Sequence, residues 1–344
     1  VSGVPTTGRS LVQLAVGPAE HGVTAAALAQ WEVLRHDPGT VLVRTPAQPG
    51  VDGLATALRG VPAGVVHAHV TDRLFGRSPE EAADVLVEFA AGRDLVVSLH
   101  DLPQTSDGAR NLPRRSLAYR RVAEAARHVV VASRHEERLL RACGADVPCT
   151  VVPLPVPDLA HAPAEDRAAP LRTVAVLGYL YPGKGHEQVL AALDALPPGV
   201  GLTAVGRPSE GHEDLVAALQ ARARAVGRTC EVTGYVPDAD LPAVLRSPVL
   251  PVAPHEHLSA SGSINAWTGA GRRPLVPRSD YVTELEDRTP GALWVYDGPD
   301  GLGAALARAW AQPDLTWAAP GTVPGPTVAD TVDLLRGVLS GVPA

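Results

Sequence analysis

The chain has 344 residues, of which 45% are hydrophobic and 19% charged, and 37 acidic side chains against 30 basic ones leave a formal net charge of −7. That length suits about two domains, and the acidic balance excludes a generally basic nucleic-acid binder. Three cysteines exclude a disulfide framework and a cysteine-based zinc site. No stretch approaches the roughly 20 apolar residues of a membrane span, so the chain is expected in the cytoplasm.

From the amino terminus, short β-branched runs alternate with runs rich in Ala, Leu and Arg. Expected strands begin at Leu11, Thr40, Gly64, Asp94, His128 and Thr150. The clearest helices cover residues 25–35 and 79–91, the second with Pro79 near its first position and acids in its first turn. Nearly continuous apolar strands between helices predict a parallel sheet covered on both faces. Residues 153–170 are rich in Pro and Ala, lack periodicity and read as a linker. Strands then recur in RTVAVLGYL, GVGLTAVG, TCEVTGYV, PVLPVAP, RRPLVP and ALWVYD, and residues 328–339 have the spacing of one amphipathic helix. The expectation is two similar α/β units, residues 1–160 and 161–327, followed by a helical segment, 328–344, that packs back on the first.

Open parallel sheets bind ligands at the carboxyl ends of their strands, in the crevice between domains. Five stretches offer polar residues there. In LGYLYPGKGHEQVLAAL, residues 177–193, Lys184 sits between Gly183 and Gly185 just before a helix. A point charge beside a helix N-terminus suits a diphosphate; the same text also fits an ordinary turn with a solvated lysine. In HEHLSASGSINAWTGAG, residues 255–271, Ser259, Ser261, Gly262 and Ser263 could form an anion-binding nest or merely cap a helix. The strand-end histidines are the third signal. His100, followed by Asp101, and the pair His67 and His69, which share one face, could bind substrate hydroxyls, shuttle a proton or be satisfied structural histidines. No third residue is spaced to complete a metal site with them. Fourth, Gly17 and Gly22 bracket a loop carrying Glu20, His21 and Thr24, without the G-x-G-x-x-G of NAD or FAD binders. Last, the arginine-rich stretch between Arg110 and Arg141 could touch an anionic acceptor or the inner membrane face, or be a solvated helix surface.

In order, VVHAHV, VVSLHD, VVVAS-x-x-E ending at Glu136, TVVPLPVP, VLGYLYPGKG, TAVGRP, VTGYVPDADLPAVL, PVAPHEH, GAGRRPLVP and YVTE resemble the retaining, nucleotide-sugar-dependent glycosyltransferases of the GT-B fold, family 4. The resemblance runs from about Val65 to Asp297. It implies a GT-B architecture, two Rossmann-like domains across a cleft. It implies a transfer that retains anomeric configuration, needs no metal and no cofactor, and uses a nucleotide-diphosphate sugar as co-substrate. Lys184 would meet the donor phosphates, beside Gly178 and Tyr179. Arg207, Tyr235 and Val236 would lie near the base and ribose. The loop of Ser259, Ser261, Gly262 and Ser263 would turn its amides to the diphosphate. Gly17, His21 and Gly22 would form the amino-terminal glycine loop. His100, with Asp101, would face the donor sugar and the acceptor as the catalytic group, and Glu284 matches a recurrent glutamate.

The sequence departs from that pattern in three places. The family's arginine after the glycine is Tyr179, so Lys184 with Arg207 or Arg272 must offset the diphosphate charge. The paired glutamates fall on His257 and Asn265, with Glu256 one residue early. GAGRRPLV carries one extra residue. The acceptor implied is a small molecule, a lipid or a glycan, and no nucleic acid. Competing readings are a catalytically inactive sugar-nucleotide-binding partner protein and a nucleotide-sugar epimerase.

Overall fold

The computed structural model describes residues 10–61, 63–160, 167, 169–255 and 257–341. The chain divides into two compact units, residues 1–155 with 326–344, and residues 156–325. The first contains β1 (Ser10–Val16), α1 (Gly22–Leu34), β2 (Thr40–Thr45), α2 (Gly50–Ala57), β3 (Gly64–Val70), α3 (Asp72–Phe75), α4 (Pro79–Ala90), β4 (Asp94–Leu99), α5 (Gly108–Ala125), β5 (His128–Val131), α6 (Arg134–Ala142) and β6 (Cys149–Val151). The second contains β7 (Thr173–Leu177), α7 (His186–Ala192), β8 (Gly201–Val205), α8 (Asp214–Ala225), β9 (Cys230–Val232), α9 (Leu241–Leu245), β10 (Val249–Val252), α10 (Gly262–Gly269), β11 (Leu275–Pro277), α11 (Asp280–Arg288), β12 (Trp294–Tyr296) and α12 (Gly298–Ala311). The chain then returns to the first unit as α13 (Val328–Ser340).

Each unit holds one six-stranded sheet with every pairing parallel, in the orders β2-β1-β3-β4-β5-β6 and β12-β11-β10-β7-β8-β9. Valines and leucines on alternate positions feed both faces, as parallel strands buried on two sides require. In the first unit one face carries Leu14, Ala68, Val97 and Val129 against α2, α4 and α5. The other carries Val65, Val96, Val130 and Val152 against α1 and α13.

Helix starts follow their side chains. Ser78, Ser133, Ser261 and Ser279 each accept from the amide three residues on, satisfying donors the helix leaves open. At Ser133 the fourth residue completes the device: the buried Glu136 carboxylate accepts from the Ala132 amide at 2.7 Å. The VVVAS-x-x-E stretch is therefore a buried cap that fixes how β5 turns into α6.

The expected linker at 153–170 joins the second unit early. The boundary falls after Pro155, and the Leu159 amide bonds the Gly269 carbonyl at 3.2 Å. Residues 161–166 and 168 lie outside the described residues.

The packing of α13 rests on Val332, Leu335, Val338 and Leu339, which join the α1 face of the first sheet. Arg336 forms a two-pronged pair with Asp37, both contacts at 2.8 Å, and Arg127 bonds the carbonyls of Val338 and Leu339 at 3.3 Å. Leu335 is fully buried. Leu335→Ala is expected to cost about 2–5 kcal/mol, read by denaturant unfolding as an earlier transition of the first unit.

Candidate active site

A sheet wound in both directions splays the loops after the two strands where the order reverses, and this opening is where such folds take ligands. In the first sheet that point lies between β1 and β3; in the second it lies between β7 and β10. Each unit carries a polar cluster there.

In the second unit the loop after β7 and the loop after β10 meet around Lys184. Its Nζ lies 3.3 Å from Ser263 Oγ, which is 3.1 Å from Ser261 Oγ, the cap of α10. Gly178 has a φ of +116°, and a Cβ there would sit 3.1 Å from the ammonium. Gly185 has a φ of +94°, and a Cβ would run into the Pro254 ring at 2.5 Å. Only glycine lets the two loops close this tightly. Lys184 is buried, and burial alone lowers its pKa to about 8. Among the described residues no carboxylate pairs with it. His186 and His255 flank it, each held neutral by burial and then by the lysine charge. Among the described residues His186 Nε2 and His255 Nδ1 are buried without a hydrogen-bond partner, while His255 Nε2 lies 3.4 Å from Ser261 Oγ. Neither histidine was singled out by the sequence, although both stand beside the motifs that were.

Along the ends of β7, β8 and β9, the Arg207 guanidinium lies 5.6 Å from the Tyr179 ring and 5.9 Å from that of Tyr235. Pairing of Leu180 with Pro208 beyond the strands holds these loops in register. Val236 is half-buried, its side chain packing against the apolar cluster with Leu241, Val244 and Trp267.

Arg272 does not serve the lysine. It is fully buried and gives its donors to the Leu245, Ser247 and Val249 carbonyls and to Thr316, with its guanidinium 4.2 Å from the Trp317 ring. Asn265 is two residues past Ser263, about 200° around the helix, and faces a small cavity lined by Leu285, Arg288 and Thr289. His257 is exposed, and Ser259 is buried in the same loop. Gly262 opens α10 with free space where a Cβ would be. Glu284 pairs with Arg288 at 3.1 Å on α11. Glu256 lies outside the described residues.

In the first unit Gly17 makes the left-handed turn after β1 (φ +96°), and His21 caps α1, accepting from the Val23 amide at 3.3 Å, with Gly22 as the first helical residue. His100 follows β4. Its amide bonds the Val70 carbonyl at 2.9 Å, and its carbonyl accepts from Tyr119 Oη at 2.8 Å. Asp101 holds a φ of +52°, which aspartate tolerates better than most residues. Arg115 steadies that turn, bonding the Asp101 carbonyl at 2.7 Å while pairing with Asp72 and Asp107. Burial lowers the His100 pKa to about 4, against the opposing pull of Asp101 and with a further push from His21. His67 is the satisfied structural histidine: Gln13 and Ser98 take both ring nitrogens, and burial carries its pKa down to about 3. His69 instead bonds His100 at 2.9 Å.

Between Arg110 and Arg141, Arg114, Arg115, Arg120, Arg121, Arg127 and Arg141 pair with acids. These pairs offset much of the charge of the stretch. Among the described residues no helix is long and apolar enough to cross a membrane, and no three His, Cys, Asp or Glu side chains converge as a metal-binding group.

No model of a known protein family matches the sequence, and no curated protein sequence does. Solved structures match the fold over nearly the whole chain. HepE from Anabaena, in complex with UDP and glucose, superposes with a TM-score of 0.68 at 15% identity, covering 96% of this chain and 95% of that one. Sucrose-phosphate synthase from Thermosynechococcus elongatus gives 0.70 at 14% identity, with coverage of 96% and 95%. The catalytic domain of starch synthase IV from Arabidopsis thaliana, bound to ADP and acarbose, gives 0.63 at 10% identity, with coverage of 98% and 99%. The chain has the GT-B fold, built from two Rossmann-like domains.

Two pH effects follow. The buried histidines His67, His69, His100, His186 and His255 all have pKa values below the ordinary 6.5. Between pH 6.5 and about 4 the unfolded chain therefore binds more protons than the folded one, and stability falls as pH falls. A thermal-unfolding series should show Tm dropping through that window. Lys184 works in the alkaline range: from pH 8 to its ordinary 10.5 the unfolded chain again holds the extra proton, so its contribution to stability rises with pH. Lys184→Met should remove that rise and raise the ligand-free Tm at pH 7.

Proposed function

We propose that the protein is a glycosyltransferase that moves a sugar from a nucleotide-diphosphate donor to an acceptor hydroxyl, with retention of anomeric configuration and without a metal. The observation that carries this reading is the buried ammonium of Lys184, which has no carboxylate partner among the described residues and lies beside the capped start of α10. A desolvated ion costs several kcal/mol. A phosphate oxygen at about 4 Å returns about 4 kcal/mol per unit charge at an effective dielectric of 20. A diphosphate is thus the occupant that balances the site. The GT-B neighbours carry UDP or ADP in their complexes, which supports a nucleotide on that diphosphate.

In this reading the second unit holds the donor. Lys184 and the first amides of α10 stabilise the negative charge that grows as the anomeric carbon–phosphate oxygen bond breaks. Arg207, between Tyr179 and Tyr235, offers a surface for the base. A front-side attack forms the new carbon–oxygen bond on the face the diphosphate leaves, and the acceptor's proton passes to the departing phosphate oxygen. His100 of the first unit meets sugar or acceptor hydroxyls as a neutral imidazole.

Calorimetry with UDP, ADP and GDP tests the site directly. One of them should bind, and Lys184→Ala should weaken it at least about 30-fold, the equivalent of about 2 kcal/mol. No binding, or equal binding by the variant, removes the donor site. Hydrolysis of labelled nucleotide sugars then tests turnover, which His100→Ala should lower more than it lowers donor affinity. A chain that binds donors and never turns them over is the non-catalytic binding protein, the second reading, which His257 and Asn265 at the glutamate positions favour.

A further inference from the structure

Two histidine relays run through the α1-facing side of the first sheet, and they end differently. In one, His67 Nδ1 lies 2.8 Å from Gln13 Oε1, and His67 Nε2 lies 2.8 Å from Ser98 Oγ. The Gln13 amide donates onward to the Ala27 carbonyl. Both ring nitrogens are used inside the core. In the other, His69 Nε2 lies 2.9 Å from Gln30 Oε1, and His69 Nδ1 lies 2.9 Å from His100 Nε2. This relay ends on His100, whose Nδ1 has no partner among the described residues. The His69 and His100 rings are 5.1 Å apart at their centroids and 19° apart in plane. That separation is the nitrogen–nitrogen distance plus a ring radius on each side, so the rings meet edge to edge along one hydrogen bond.

The proton positions follow from the partners. An amide oxygen only accepts, so His69 Nε2 carries a hydrogen. Burial keeps His69 neutral, and a neutral imidazole has one such hydrogen. Its Nδ1 is then a bare lone pair, and the bond to His100 takes its proton from His100 Nε2. The backbone of His100 is pinned by Val70 and Tyr119, which leaves the ring's state to this bond.

We infer that His69, backed by Gln30, is a positioning residue that fixes the tautomer of His100, so that His100 offers Nδ1 as a hydrogen-bond acceptor to a hydroxyl rather than as an N–H donor. The identity of that hydroxyl, on sugar or acceptor, rests on the proposed transferase reading; the tautomer does not, because it is set in the ligand-free protein.

Long-range nitrogen-15 NMR of the full chain at pH 7, without ligand, reads the tautomer of each histidine. His100 should carry its proton on Nε2. His69→Phe and the milder Gln30→Leu should each give a mixture with the Nδ1–H form. Gln30→Glu, which keeps an accepting oxygen, should restore the single form. Wild-type His100 protonated on Nδ1, or a tautomer unmoved by both disruptive variants, overturns the inference. In His69→Phe and Gln30→Leu the affinity for whichever of UDP, ADP and GDP binds the wild type should stay within about twofold while donor turnover falls about tenfold or more, and Gln30→Glu should keep wild-type turnover; unchanged turnover in His69→Phe overturns the positioning role. A wild-type chain that binds none of UDP, ADP and GDP overturns the transferase reading instead, and the NMR result still decides the tautomer.

Discussion

A buried cation with no carboxylate partner among the described residues is the constraint around which the second unit is arranged. Lys184 could reach solvent if its loop were looser, yet Gly178 and Gly185 draw that loop against the loop after β10. The ammonium ends beside Ser263 with Tyr181 5.8 Å away and neutral imidazoles flanking it. The alternation of β and α elements puts both loops at the strand-order reversal, and the glycines close them around the lysine.

The first unit meets the same geometric demand with a different chemistry. Its reversal point gathers imidazoles instead of a fixed charge, and burial holds them neutral. The surrounding positive and negative groups are spent on shape: Arg115 ties Asp72, Asp107 and the turn at Asp101 together. His100 is left there as a neutral imidazole beside the exposed Asp101.

Much of this was legible in the sequence for physical reasons. Strand alternation, glycine after a strand, and lysine before a helix are local patterns, and each appears where the text put it, down to the start of α7 at His186. What was not legible depends on partners far apart in the chain. Arg272 looked available for phosphate because a sequence does not reveal that the Leu245, Ser247 and Val249 carbonyls surround it. The histidine pair at 67 and 69 shows the limit most clearly. Period-two spacing put both on one face, but only the partners supplied by Gln13, Ser98, Gln30 and His100 separate a closed structural relay from an open one.

The return of α13 to the first unit has a consequence for how the chain is made. Residues 156–325 are contiguous and hold their own core, so they can close as soon as they leave the ribosome. The first unit emerges earlier yet lacks the helix that covers Leu34, Val65, Val96 and Val130. That apolar face stays open to chaperones, or to sticking, while the whole second unit is synthesised. The half of the protein translated first is thus the half that matures last.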